Sequence, residues 1–288
     1  MKMNGITWLV SYPKSGNTWF RVFLANLQEE KKSPAEINRL NRTLIASARP
    51  IFDDTVGFES SDLTADEIDS LRPEIYEHIA CNSEETQFMK VHDAYTYITD
   101  DTPLFPSKAS CGAIYLMRNP LDVAVSLAHH SGWDYSQSIR NMADDQAAFC
   151  RNQKRLHNKL KQKLLSWSHH VLSWMEAPGI DVCFLRYEDM KQKPLETFEK
   201  AVKFLEFDYG RDKIQKAIDL SSFEELQRQE KENGFREKNA ITELFFRKGK
   251  VGSWREELND KQVKQIISDH GAVMRRYGYL DVNNEVIF

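Results

Sequence analysis

Short apolar runs alternate with amphipathic ones along this chain, and the alternation predicts strands between helices. Ile6 to Ser11 reads as a first strand, Thr18 to about Gln28 as a first helix and Thr86 to Val91 as a second strand. Ala113 to Met117 is a continuous apolar run of the kind buried on both faces of a parallel sheet. Pro120 suits the first position of a helix reaching about His130. Asp181 to Arg186 is a further strand. Helices follow at Pro194 to Leu205, Arg211 to Leu220 and Ser222 to about Lys231, with a closing helix at Asp260 to Tyr277. Such an order predicts an α/β fold, a single domain over residues 1–288 with a central parallel sheet flanked by helices.

Other stretches are less regular. Glu29 to Pro50, with Lys31-Lys32, reads as a polar surface excursion with some helix, and Ile51 to Ser61 as weakly structured. Thr64 with Glu67 has the capping-box pattern of a helix start, and Pro73 is expected to open a second turn or helix ending near Ala80. Asp93 to Ser110 reads as a loop. Ser138 to about Ala177 reads as two helices, because Leu160, Leu164, Leu165, Trp167, Val171, Leu172, Trp174 and Met175 have helix-like spacing. The basic run Arg151 to Lys163 reads as a solvated helix face, and Glu232 to Leu244 as a mobile polar loop.

Polar and basic residues gather at the predicted strand ends, where parallel sheets bind their ligands. Lys14 follows the first strand, Lys90 and His92 end the second, Arg118 ends the third and Tyr187 follows the next. The first of these places, Tyr12-Pro13-Lys14-Ser15-Gly16-Asn17-Thr18-Trp19, lies between strand and helix. Backbone N–H groups and the positive end of a helix dipole favour an anion there, so the loop is a candidate phosphate site. It departs from a Walker A loop, which places Lys after the second Gly. No convincing acidic strand end stands ready to hold Mg²⁺; Asp93 is the nearest. Transfer of a sulfuryl group, with less charge than a phosphoryl group, could rely on Lys and backbone amides.

Composition narrows the picture. The chain has 288 residues, 41% hydrophobic and 28% charged, with a net charge of −4. General attraction to nucleic acid is not expected of that charge. Four widely spaced cysteines without a C-x-x-C pair imply free thiols in a reducing compartment. No signal peptide and no membrane-spanning run is read, so a cytoplasmic location without membrane attachment is expected. His129-His130 and His169-His170 lack ligand spacing, and no metal role is assigned.

The whole set of motifs resembles the cytosolic-type sulfotransferases, which use 3′-phosphoadenosine 5′-phosphosulfate (PAPS). Tyr12 to Trp19 is similar to their 5′-phosphosulfate loop, and Arg118-Asn119-Pro120 through Ser126 to their 3′-phosphate motif. Arg247-Lys248-Gly249-Lys250-Val251-Gly252-Ser253-Trp254 resembles their R-K-G-x-x-G-x-W motif. Lys90-x-His92 resembles their catalytic pair, and Arg186-Tyr187-Glu188-Asp189-Met190 their Y-E-D-M. The motifs stand in family order, and the resemblance implies a fold akin to P-loop nucleotide kinases.

It also implies roles. Lys14 would steady the leaving 5′-phosphate, with Ser15, Gly16, Asn17 and Thr18 holding that phosphate. Trp19 would stack on adenine, or else belong to the core. Arg118, Ser126, Arg247, Lys248 and Gly249 would bind the 3′-phosphate, though Arg118 could instead pair with Asp122. Tyr187, Ser222 and Phe223 would border the adenosine. His92 would be the general base, and Lys90 would offset charge on the transferring group. The acceptor would be a hydroxyl or amine of a small molecule, with 3′,5′-ADP as the other product.

Some positions depart from the family pattern. Asn17 stands where Thr is frequent, Ser253 where Asp is common, and residues 255–259 lack the core of the K-T-V-E dimer motif, so monomer and homodimer both stay open. Phe52, Phe58, Tyr95, Tyr97, Phe105, Trp133 and Tyr135 are candidate acceptor-pocket residues, suggesting an apolar or aromatic acceptor, with a carbohydrate stacked on aromatics as the alternative. Two other readings are a metal-dependent nucleotide kinase with a variant P-loop and a catalytically silent donor-binding protein.

Overall fold

The computed structural model describes residues 5–29, 33–151, 156–238 and 241–288. The chain opens with β1 (Ile6–Ser11), α1 (Asn17–Gln28), β2 (Thr43–Ile45), α2 (Arg49–Val56) and α3 (Ala65–Cys81). Then come β3 (Gln87–Val91), β4 (Tyr97–Thr99), β5 (Thr102–Pro103), β6 (Ser110–Met117), α4 (Pro120–Ser131) and α5 (Tyr135–Met142). The pair β7 (Ala148–Phe149) and β8 (Gln162–Lys163) precedes α6 (Trp167–Met175) and β9 (Val182–Arg186). Helices α7 (Tyr187–Gln192), α8 (Pro194–Phe204), α9 (Arg211–Asp219), α10 (Phe223–Asn233) and α11 (Asp260–Arg276) complete the order.

Five strands form a parallel sheet in the order β2-β3-β1-β6-β9. Every residue of β1 is buried, as expected of a central strand covered on both faces. In the β1–β3 register Ile6 faces Gln87 and Val10 faces Val91, so Ser11 and His92 leave the two strands together. The flanking helices begin where side chains satisfy their first amides. Thr64 and Glu67 form the expected reciprocal capping box of α3, Asn119 Oδ1 accepts from Leu121 N in front of Pro120, and Ser222 caps α10.

Contacts divide the chain into two compact units. The first takes residues up to Tyr12, Arg42–Tyr115 and Asp144–Cys183. Its buried clusters include Phe52, Ile68, Ile75 and Leu160, and an aromatic group in which Trp8 meets Tyr76 and Phe105 edge-on. The second takes Pro13–Asn41, Leu116–Ala143 and Phe184–Phe288. There Val22, Ile37, Leu40, Leu226, Phe235 and Phe246 form a core against which Trp19, Phe223 and Phe245 pack.

The structure corrects several sequence expectations. The polar excursion before residue 50 contributes the edge strand β2, too short at three residues to stand out, and buries Ile37 and Leu40. The weakly structured stretch carries α2, which buries only Phe52 and so has almost no apolar stripe. Helix α3 runs through Pro73 without restarting. The described residues between 143 and 166 are not helical. Cys150 and Leu165 take positive φ, and Leu160 and Leu164 are buried from extended backbone whose amides donate to Ser47 O and Ala147 O. The Asp93–Ser110 loop holds the β4–β5 pairing. In the region expected to be mobile, Phe235 is buried, Arg236 N donates to Asn38 Oδ1, and Glu237 pairs with Arg21 at 2.6 Å. Lys31-Lys32 and residues 152–155 of the basic run lie outside the described residues.

Candidate active site

The first unit carries His92, one residue past the end of β3. Its Nδ1 lies 2.8 Å from the Ser11 carbonyl and 3.2 Å from Ser11 Oγ. A carbonyl can only accept, so Nδ1 carries the proton and the lone pair is left on Nε2. Burial holds the imidazole pKa well below its ordinary range, and the Lys90 cation two residues back adds to the depression. At neutral pH the ring is a base with one defined lone pair. Phe149 stands edge-on to it at 6.5 Å. Lys90 itself is buried within β3.

The residue after His92 bears on the phosphoryl-transfer alternative. Asp93 is buried, and its Oδ1 pairs with the buried Arg72 at 2.9 Å while its Oδ2 has no partner among the described residues. Among the described residues no group of three or more His, Cys, Asp and Glu is arranged to hold a metal ion.

The second unit carries the donor-type loop and its cations. Lys14 takes φ 70° and Gly16 φ 99°, turning the chain sharply into α1. At Gly16 the backbone approaches so closely that a Cβ would lie 2.9 Å from the Tyr187 ring. Lys14 Nζ sits 3.7 Å from the centre of the Phe245 ring. Ser15, Asn17 and Thr18 are buried, and Ser15 Oγ has no hydrogen-bond partner among the described residues. Trp19 meets Tyr187 edge-on at 5.6 Å and Phe198 at 5.7 Å, and its indole N–H is likewise unpartnered. The ring is thus partly core while keeping a polar edge unspent.

Arg118, at the end of β6, donates to Lys14 O at 3.2 Å and to Lys250 O at 3.0 Å, and its guanidinium lies 4.5 Å over the Tyr187 ring. Its buried Nε has no partner among the described residues. Its distance to Asp122 is 3.9 Å, a weak contact. Asp122 spends itself on the C-terminal motif, accepting from Gly252 N at 2.8 Å, Ser253 Oγ at 3.0 Å and Trp254 N at 3.1 Å. Ser253 therefore serves that turn by donating a hydrogen bond. Gly249 takes φ 59° with Phe223 so near that a Cβ would lie 2.3 Å from its ring. Ser126 is partly exposed on α4, and Ser222 accepts from Glu225 N at 3.3 Å.

Two groups here were not singled out in the sequence. Glu257 accepts from Arg247 at 3.0 Å, Lys248 at 2.7 Å, His129 at 2.8 Å and the Tyr135 hydroxyl. Burial pushes its carboxyl up, but these hydrogen bonds outweigh burial and hold it far below the ordinary carboxylate range. Both cations of the R-K-G motif thus already have an anionic partner. Glu188 of the Y-E-D-M segment is buried and accepts from Asn119 N at 2.9 Å and from Tyr279 OH at 3.1 Å, while Arg186 and Asp189 form a two-pronged pair at 2.7 and 2.8 Å.

The acceptor-pocket candidates fare unevenly. Phe52, Tyr95 and Phe105 are buried in the core, and Tyr135 is bonded to Glu257. Phe58 and Tyr97 are exposed. Phe149, which the sequence reading passed over inside an expected helix, is the aromatic ring beside His92.

Comparison with known proteins gives one consistent answer. The family model described as the sulfotransferase domain matches residues 5–278. Cytosolic sulfotransferase 12 of Arabidopsis thaliana is 25% identical over 268 residues, covering 90% of this chain and 74% of its own length. Flavonol 3-sulfotransferase of Flaveria bidentis is 26% identical over 271 residues, covering 90% and 78%. In structure, mouse sulfotransferase SULT7A1 complexed with PAP aligns with a TM-score of 0.62 at 21% identity, over 96% of this chain and 85% of that one. Retinol dehydratase in complex with androsterone and PAP aligns at 0.60 and 21% identity, over 94% and 80%. The fold is that of these structures, and the chain belongs to the sulfotransferase family as an enzyme of that class.

Proposed function

We propose that this enzyme transfers the sulfuryl group of PAPS to a hydroxyl of a small apolar or aromatic acceptor, releasing 3′,5′-ADP, within one sulfotransferase domain in the cytoplasm. The residues present suit a nucleotide with two phosphate-bearing ends. Ser15 Oγ and Arg118 Nε are buried polar atoms without partners among the described residues. Gly16 and Gly249 are places where a Cβ would strike an aromatic ring. When bound, PAPS supplies the sulfuryl group and a 5′-phosphate leaving group.

The chain's own groups divide the work. Ser15, Gly16, Asn17 and Thr18 hold the 5′-phosphate at the start of α1, where amides and helix dipole favour an anion. Lys14 offsets the charge that grows on that phosphate, and Lys90 the charge on the transferring group; one such electrostatic contact is worth on the order of 3 kcal/mol. Arg118, Ser126, Arg247, Lys248 and Gly249 hold the 3′-phosphate, with Trp19, Tyr187, Ser222 and Phe223 around the adenosine. His92 Nε2 takes the acceptor proton, a role typically worth about 10²–10⁴-fold. The observation that carries this reading is the His92 Nδ1 to Ser11 carbonyl bond, since it leaves a single lone pair for the work. Flavonol and retinol in the names of relatives and aligned structures support a small apolar acceptor.

Incubation with radiolabelled PAPS and a panel of flavonols, phenols, alcohols and sugars is expected to place label on an acceptor, with one 3′,5′-ADP formed per label. Tight 3′,5′-ADP binding with no label on any acceptor would favour the silent-binder reading instead.

A further inference from the structure

Helix α6 grips the chain segment that carries His92, through side chains and not through backbone. His170 Nε2 lies 3.0 Å from the His92 carbonyl. One turn on, Trp174 Nε1 donates to the Asp93 carbonyl at 2.9 Å. Between them, Ser173 Oγ accepts from Tyr95 N at 3.0 Å. Positions four apart share a helix face, so two successive carbonyls after β3 meet two successive donors of α6.

The protons in this chain of bonds are determined. The His92 carbonyl can only accept, so His170 Nε2 carries hydrogen. A neutral imidazole then has its acceptor at Nδ1, which lies 2.6 Å from the Tyr115 hydroxyl, and Tyr115 must donate. His170 is fully buried and Tyr12 stands edge-on to it at 5.5 Å. Burial lowers its pKa to about 4, so it stays neutral at working pH and keeps both bonds.

We propose that His170 is a positioning residue for His92, holding the His92 peptide by its carbonyl so that the ring keeps Nδ1 protonated toward Ser11 and Nε2 open to an acceptor proton. The value of that position for turnover rests on the reading of His92 as the base. A histidine that merely filled the core would contribute stability without fixing the tautomer of another ring.

Two-bond ¹H–¹⁵N spectra of the ¹⁵N-histidine-labelled full chain test this directly. The wild type is expected to show His92 as the Nδ1–H tautomer and His170 as the Nε2–H tautomer. His170→Gln, whose amide can still donate to the carbonyl, should keep His92 in that form. His170→Leu should mix its two tautomers and slow sulfuryl transfer about tenfold, with 3′,5′-ADP affinity unchanged. A wild-type spectrum with His170 protonated at Nδ1 would overturn the proposal without any variant having to fold. So would an unchanged His92 tautomer in folded His170→Leu. Full transfer by His92→Ala would instead overturn the base assignment and leave the tautomer result standing.

Discussion

At the scale of single residues, the histidines divide by what their neighbours allow. His92 could be read from sequence because it ends an apolar run two residues after a lysine. His170 could not, because its partners are a carbonyl and a hydroxyl 78 and 55 positions away. The pKa of His170, lowered from 6.5 to about 4, makes a prediction about stability. As pH falls below the ordinary histidine range, the unfolded chain takes up a proton that the folded chain refuses. Stability is therefore complete above about pH 6.5 and is lost progressively toward pH 4, by up to about 3 kcal/mol. The lowered pKa of His92 acts in the same direction. Urea midpoints at pH 7 and 4.5 should fall further for the wild type than for His170→Gln; equal falls would contradict the assignment. The sequence offered phosphate or Asp122 as the partner of Arg118, and the structure gives Asp122 to the Gly252–Trp254 turn while Arg118 Nε has no partner among the described residues.

Among the elements, those that bury a whole face were legible and those held by a few contacts were not. The buried strands β1, β3, β6 and β9, the capped helices α4 and α10 and the capped start of α3 appeared within a few residues of where pattern and caps placed them. The edge strand β2 pairs through three residues, and α2 buries a single side chain, so neither leaves a periodic trace. Between α5 and α6 the leucine spacing suited a helix, but Cys150 and Leu165 adopt left-handed backbone and the chain pairs as β7–β8. The loop ending at Glu257 shows how a motif can match while its chemistry is shared. Arg247 and Lys248 face the Glu257 carboxylate, and Lys248 also meets Glu256 at 3.3 Å. On the proposed donor site, a 3′-phosphate would compete with that charge. Removing one nearby charge in a partly solvated site is worth about 1 kcal/mol. Glu257→Gln is thus expected to tighten 3′,5′-ADP binding roughly fivefold at low salt, less at high salt, by calorimetry. Weaker binding would mean that Glu257 chiefly orients the two cations.

For the molecule as a whole, the net charge of −4 means that an anionic donor is drawn by local cations alone. The candidate cations Lys14, Arg118, Arg247 and Lys248 lie after β1, at the end of β6 and in the loop before α11. The family is established over residues 5–278, while the acceptor is not written in any motif. Phe149 of β7, the ring edge-on to His92 at 6.5 Å, stands out only through that distance. The central claim is that His92 accepts the proton as the sulfuryl group leaves PAPS. The most direct test compares wild type and His92→Ala for transfer of radiolabel from PAPS to an acceptor found in the panel, with 3′,5′-ADP affinity measured on both. Transfer is expected to fall by about 10²-fold or more while affinity stays within a few-fold. Undiminished transfer by His92→Ala would contradict the account.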